Sequence, residues 1–183
     1  MMTRKMLEMQ ERLQMLEKCS DSIREVLNMQ IPFSKNINEI ISKLGGKIEE
    51  YGESQLIWEE EKIEGKEIFI IRIAPNNSKE TKNFCIACEL GHLFFHTNYL
   101  EKYGKNTLEE KTKLNIYEPY YHFDGIHFAA NLIMPRIEFS YKTQEYTKEN
   151  KVDIKKLAKY FEVSLNSVVI RGEELGLFFY SYI

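Results

Sequence analysis

Three cysteines among 183 residues are too few to build a disulfide framework, and Cys19 stands far from Cys85 and Cys88. The expectation is a reducing, cytoplasmic setting. Long apolar runs are missing as well. The opening stretch MMTRKMLEMQERLQMLEK interrupts every short apolar run with charge. That excludes the apolar segment of a secretory signal, and any stretch near the ~18 apolar residues that a membrane crossing needs. Charge of one sign is not in excess: 25 basic residues face 28 acidic ones, so no chain-wide attraction draws it to nucleic acid. Nine glycines and four prolines are too few for a linker-rich or disordered chain. Eleven tyrosines and eleven phenylalanines supply bulk for a packed interior. A soluble chain of this length is expected to bury roughly 70% of its unfolded surface.

Met2, Met6, Met9, Leu13, Leu16, Ser20, Ile23 and Leu27 step alternately by four and three, which lines one face of a long helix. Arg4, Lys5, Glu8, Glu11, Arg12, Glu17 and Lys18 fall on its other faces. The seam is rich in methionine and lacks the β-branched and leucine alternation of a two-stranded coiled coil. Its expected cover is the chain's own core or, in a homodimer, a second copy. Ile31-Pro32-Phe33 ends this helix, and Ser34 is placed to cap a second one with the stripe Ile37, Ile40, Ile41 and Leu44 and a stop at Gly45-Gly46.

Strand-prone runs follow at 47–51, 55–58 and 67–74. In the last of them Ile68-Phe69-Ile70-Ile71-Arg72-Ile73 is apolar on both faces apart from Arg72, as in a strand covered on both sides. Asn77 with Glu80 marks a helix start, and that helix carries Phe84 to His96. A connection rich in tyrosine and lysine spans 98–121. Next comes a helix over about 124–132, closed by Met134-Pro135, and a polar stretch over 141–151. Two short helices end the chain, one over 153–161 and one capped by Ser164 and stopped by Gly176. The expected fold is α+β, a small sheet packed on helices. Residues 1–30 form an amphipathic helix, 31–140 the α+β domain, and 141–183 a helical extension on the same core.

The residues that carry chemistry are Cys88-Glu89-Leu90-Gly91-His92. A helix sets positions i and i+4 on one face, so Cys88 and His92 can aim at one ion. Glu89 would then point past it toward a bound water that zinc acidifies enough for a carboxylate to deprotonate. The usual pattern is His-Glu-x-x-His, and here the first histidine is a cysteine. A thiolate passes more charge to a metal than imidazole does, which leaves the bound water less acidic. The plainer alternative is an ordinary helix with a buried cysteine and a half-exposed histidine. Cys85 and Cys88 form a CxxC, but it lies inside a helix and away from the N-terminus where thiolates are stabilised, so Cys85 is expected to pack as a small apolar group.

Residues 84–96, FCIACELGHLFFH, resemble the RFTLAHELGHLLLH signature of the ImmA/IrrE family of metallopeptidases, and residues 128–135, FAANLIMP, resemble its FAAxLLMP. The tail from Leu157-Ala158-Lys159-Tyr160 through Arg171 to Leu177 is also similar to the family's. The resemblance covers about residues 35–178. It implies a zincin-like metallopeptidase domain, a C-terminal helix-turn-helix-like pair, a Zn2+ ion, and action in cells on a helix-turn-helix repressor that is cleaved or antagonised. It further implies Cys88 and His92 as metal ligands, Glu89 as general base and, counting back from Phe128 against the family's ExEANxFA, Asp124 as third ligand. His122 and His127 flank Asp124 and remain alternatives. Gly125-Ile126 stand where the family has Ala-Asn, and both altered ligands are shorter than their counterparts.

His96 is expected beside the site rather than on the ion. A donor to the tetrahedral oxyanion is expected among Tyr99, Tyr103, Tyr120, Tyr121 and His122. The C-terminal pair carries Lys155, Lys156, Lys159 and Arg171 but also Glu173 and Glu174, so direct nucleic-acid binding is not expected. Leu157, Phe161, Val168, Val169 and Leu175 suit it to packing. A second reading keeps the fold without the catalysis: a regulator that acts by protein–protein binding.

Overall fold

A computed structural model of the chain describes residues 4–59, 68–97 and 121–179. Helix α1 spans Arg4–Val26. Only the second half of its seam is buried, through Leu16, Cys19, Ser20 and Ile23, while Met6 is 56% exposed and Met2 lies outside the described residues. Burial begins where α1 meets the helix over 121–133, and the chain's own core covers it with no second copy needed for those four side chains.

A 3-10 turn, Phe33–Lys35, leads into α2, Ile37–Lys43, which buries Ile37, Ile40 and Ile41. Ser34 does not cap α2. It sits inside the 3-10 turn, where its hydroxyl donates to the Glu162 carboxylate. Asn36 holds the cap position, but its amide is committed backward: Nδ2 donates to Asn28 O at 2.9 Å and Oδ1 accepts from Gln30 N at 3.1 Å.

Strands β1 (Gly46–Glu50), β2 (Gln55–Trp58) and β3 (Phe69–Ile73) form one sheet in the order β1-β3-β2. The central β3 runs parallel to β1, with Ile48 opposite Ile71, and antiparallel to β2, with Leu56 opposite Ile71. Phe69, Ile70, Ile71 and Ile73 are buried, as an apolar run covered on both sides requires. The Trp58 ring meets Phe69 edge-on at 6.1 Å.

Helix α3 spans Lys79–His96. Its cap is Ser78, one residue after the expected Asn77, because the Ser78 hydroxyl accepts from Thr81 N at 3.2 Å. Helix α4 is Tyr121–Ile133 and, after Met134-Pro135, α5 is Arg136–Glu145. A two-stranded hairpin, β4 (Thr147–Lys148) with β5 (Lys151–Val152), precedes α6 (Ile154–Phe161) and α7 (Leu165–Glu174). Asp153 and Ser164 cap the last two helices by accepting from Lys156 N and Ser167 N. The polar stretch 141–151 is thus the end of a helix followed by a hairpin.

One apolar cluster joins Leu16 and Ile23 of α1, Ile71 of β3, Leu90 of α3, Phe128 of α4 and Phe161 of α6. The architecture is α+β. Leu157, Phe161, Val168 and Val169 are buried in the C-terminal pair, which packs onto this core. No described helix is long and apolar enough to cross a membrane.

Helix α4 is bordered on three sides. It packs on α3 through Phe94, Phe95 and Phe128 and on α1 through Ser20, whose hydroxyl reaches Phe128 O at 3.3 Å. Toward α7, Arg171 donates to Asn131 Oδ1 at 2.7 Å and to Met134 O at 3.1 Å. Arg24 of α1 donates to Leu132 O at 2.5 Å, so two arginines serve carbonyls at the C-terminal end of α4, which have no partner within the helix and favour a positive charge.

A second clamp joins α1 to α5. Arg136 donates to both Glu17 oxygens, at 2.5 and 2.8 Å, and this bond holds the Glu17 carboxyl below its ordinary value near 4.5. A depressed folded-state pKa contributes stability that is present above the unfolded value and lost as pH falls through the folded one. Glu17→Gln is therefore expected to lower the thermal midpoint at about pH 7 and to converge with the native chain as the pH falls below the depressed folded-state pKa of Glu17. Unfolding curves across that range check this. An equal deficit at both ends would show that the carboxylate charge contributes nothing.

Candidate functional site

The site lies where α3 crosses α4. Two glycines set the approach. A Cβ on Gly91 would stand 3.0 Å from the Phe128 ring and 3.4 Å from Gly125 Cα, and one on Gly125 would stand 3.0 Å from His92 Cε1 and 3.2 Å from Nε2. The backbones approach closely because neither residue has a side chain, and a Cβ at 125 would press on the His92 ring.

Cys88 and His92 share the face of α3 that meets Gly125, and the Cys88 carbonyl oxygen is 3.7 Å from the same Cβ position. His92 is buried, and Cys88 is partly so. Burial, with the neighbouring Cys85 and Glu89 charges, pushes the Cys88 thiol up to about 12. It is a neutral thiol near neutral pH. Glu89 is buried as well. Burial raises its carboxyl above the ordinary value, and a hydrogen bond from the Leu56 backbone on β2 partly offsets the rise.

Asp124 is engaged from α1. Successive helical residues are about 100° apart, so with Gly125 against α3 the preceding side chain turns toward α1. There Arg12 closes on it: Nε donates to Oδ1 at 2.6 Å and Nη2 donates to Oδ2. The Asp124 side chain is 0% exposed and that of Arg12 12%. A two-pronged guanidinium–carboxylate pair of this kind is among the stronger hydrogen-bonded contacts available to a protein. Removing one partner from a buried pair typically costs about 3–5 kcal/mol, because the other charge is left uncompensated.

His127 is also turned away. Its Nδ1 lies 2.7 Å from Glu174 Oε1, and its ring lies 4.1 Å from that of Phe123 at a tilt of 45°. Tyr99, Tyr103 and Tyr120, proposed as oxyanion donors, lie outside the described residues, as do the side chains of Tyr121, His122 and His96.

A zinc ion on Cys88, His92 and Asp124 requires three donors converging at about 2.0–2.3 Å. Among the described residues no three His, Cys, Asp or Glu side chains come together in that way. Both Asp124 oxygens are engaged by a guanidinium. In this arrangement the residues do not fit the ion as a set. Cys88, Glu89 and His92 gather at one crossing. Asp124 is paired with Arg12, a residue that the sequence alone assigns to an outer face of α1. A signal for Arg12 was present: Arg12, Leu16, Ser20, Ile23 and Leu27 are spaced by four, four, three and four, so Arg12 belongs to the buried face as much as Leu13 does.

Residues 50–172, about two thirds of the chain, match the family model Peptidase_M78, described as the IrrE N-terminal-like domain. No curated protein and no solved structure matches the chain.

Gly125→Ala forces a methyl group against the His92 ring. Overpacking of this kind is expected to destabilise by about 1–3 kcal/mol and to move the His92 imidazole resonances. Urea unfolding together with proton–nitrogen spectra of the imidazoles checks it. Unchanged stability and unchanged His92 resonances would mean that the ring does not rest on Gly125.

Proposed function

Because the chain belongs to the IrrE N-terminal-like family of metallopeptidases, we propose that it acts on a protein partner, a helix-turn-helix transcriptional repressor, and antagonises that partner by binding it rather than by cutting it. The observation that carries this reading is the closure of Arg12 on Asp124. It takes from a zinc ion the carboxylate that the family resemblance gives to the third ligand. A protein partner follows from membership in a peptidase family, whose fold is built to hold polypeptide. The resemblance of the α3 and α4 motifs supports a repressor as that partner, and such a partner would be met inside the cell.

A second reading is zinc-dependent hydrolysis with Glu89 as general base and Cys88, His92 and Asp124 as ligands. One observation favours it. Burial raises the Glu89 carboxyl, and a base works best with its pKa near the working pH.

A reporter under a repressor captured by the tagged chain separates the two. Under the binding reading, Glu89→Gln captures the repressor and relieves repression as fully as the native chain, and the repressor stays intact on a gel. Repressor fragments that vanish with Glu89→Gln, with derepression lost, would overturn it in favour of the enzyme.

A further inference from the structure

We propose that Arg12 is a built-in replacement for a divalent cation at Asp124, so that the junction of α1 and α4 closes without a metal ion and stays closed when one is offered. Three observations support it. First, Asp124 is fully buried, and a buried carboxylate needs a counter-charge. Arg12 supplies one, with a guanidinium prong on each oxygen. Second, the cation is tethered. The Ser20 hydroxyl, which donates to Leu16 O at 2.8 Å, also lies 3.3 Å from Phe128 O, and Arg24 donates to Leu132 O, so α1 is seated on α4 along the same strip, and Arg12 meets Asp124 at high effective concentration. An incoming ion has to displace a group that cannot diffuse away.

Third, the two cations exclude each other. A metal ion on Asp124 would stand beside the Arg12 charge and repel it, and the low effective dielectric of a buried site strengthens that repulsion. Asp124 is also one methylene shorter than glutamate, and the long arginine side chain spans the distance from α1 to reach it. Arg12 is thus a positioning residue for the whole N-terminal helix. This inference does not depend on which partner the protein takes, since its test reads metal uptake and stability alone.

The test uses the full chain purified without chelator. Cobalt(II) serves as the probe, because a cobalt–thiolate bond gives a charge-transfer band in the near ultraviolet. The native chain is expected to develop no such band, and its thermal midpoint is expected to be the same with chelator as with excess zinc chloride. Arg12→Leu is expected to lower the midpoint by roughly 10 °C. Arg12→Lys, which keeps the charge and loses the fork, should fall between the two. If Arg12→Leu does not fold, the double variant Arg12→Leu/Asp124→Leu keeps the question open to measurement. With neither charge present it is expected to fold and to melt well above the single variant. A stoichiometric cobalt–thiolate band in the native chain, a zinc-dependent rise in its midpoint, or a double variant as damaged as the single one would overturn the proposal.

Discussion

The contact on which the arrangement depends is the buried pair of Arg12 and Asp124. It fixes the rotation of α4 about its own axis. With Asp124 held toward α1, Gly125 is presented to α3, where a Cβ would crowd the His92 ring. The same rotation turns His127 and Asn131 to the α7 side, where Glu174 and Arg171 receive them. Each face of α4 therefore meets a different helix, and the meetings with α1 and α7 include a polar contact with defined geometry as well as apolar burial. Apolar contact alone tolerates rotation of a helix. A two-pronged ion pair does not.

Much of this was legible in the sequence, and what was not has a physical reason. The apolar run at 69–73 announced a strand covered on both sides, and it became the centre of the sheet. Short stripes ending in Gly45-Gly46 and Gly176 gave α2 and α7. Helix α5 was hidden because only Phe139 and Thr143 are buried on it, too few to make a stripe. The hairpin after it turns on Glu149 and Asn150, both at positive φ. Asparagine often takes that conformation and glutamate seldom does, so half of the turn signal was absent. The cap at Ser34 failed for another reason: a residue distant in sequence, Glu162, took its hydroxyl.

The candidate site divides in the same way. Cys88, Glu89 and His92 were legible because a single helix holds them, and spacing along one helix is fixed by its pitch. Asp124 was legible as a residue but not in its partner, which comes from more than a hundred positions away. Charged residues on an amphipathic helix are read by default as its solvated face, and Arg12 joined that class although it sits four residues before Leu16 on the buried side. The chemistry that follows differs from what the α3 motif alone implies. A partly buried thiol, a buried imidazole and a buried carboxyl lie at a close helix crossing, and the Asp124 carboxylate carries its counter-charge from Arg12.

The most direct test of this account is anomalous diffraction at the zinc edge from crystals of the full chain grown with zinc chloride. The account predicts no peak among Cys88, His92 and Asp124, with the Arg12 guanidinium on both Asp124 oxygens as in the metal-free chain. A peak at roughly 2.0–2.3 Å from Cys88 Sγ, the His92 ring and an Asp124 oxygen, with Arg12 swung away, would contradict it.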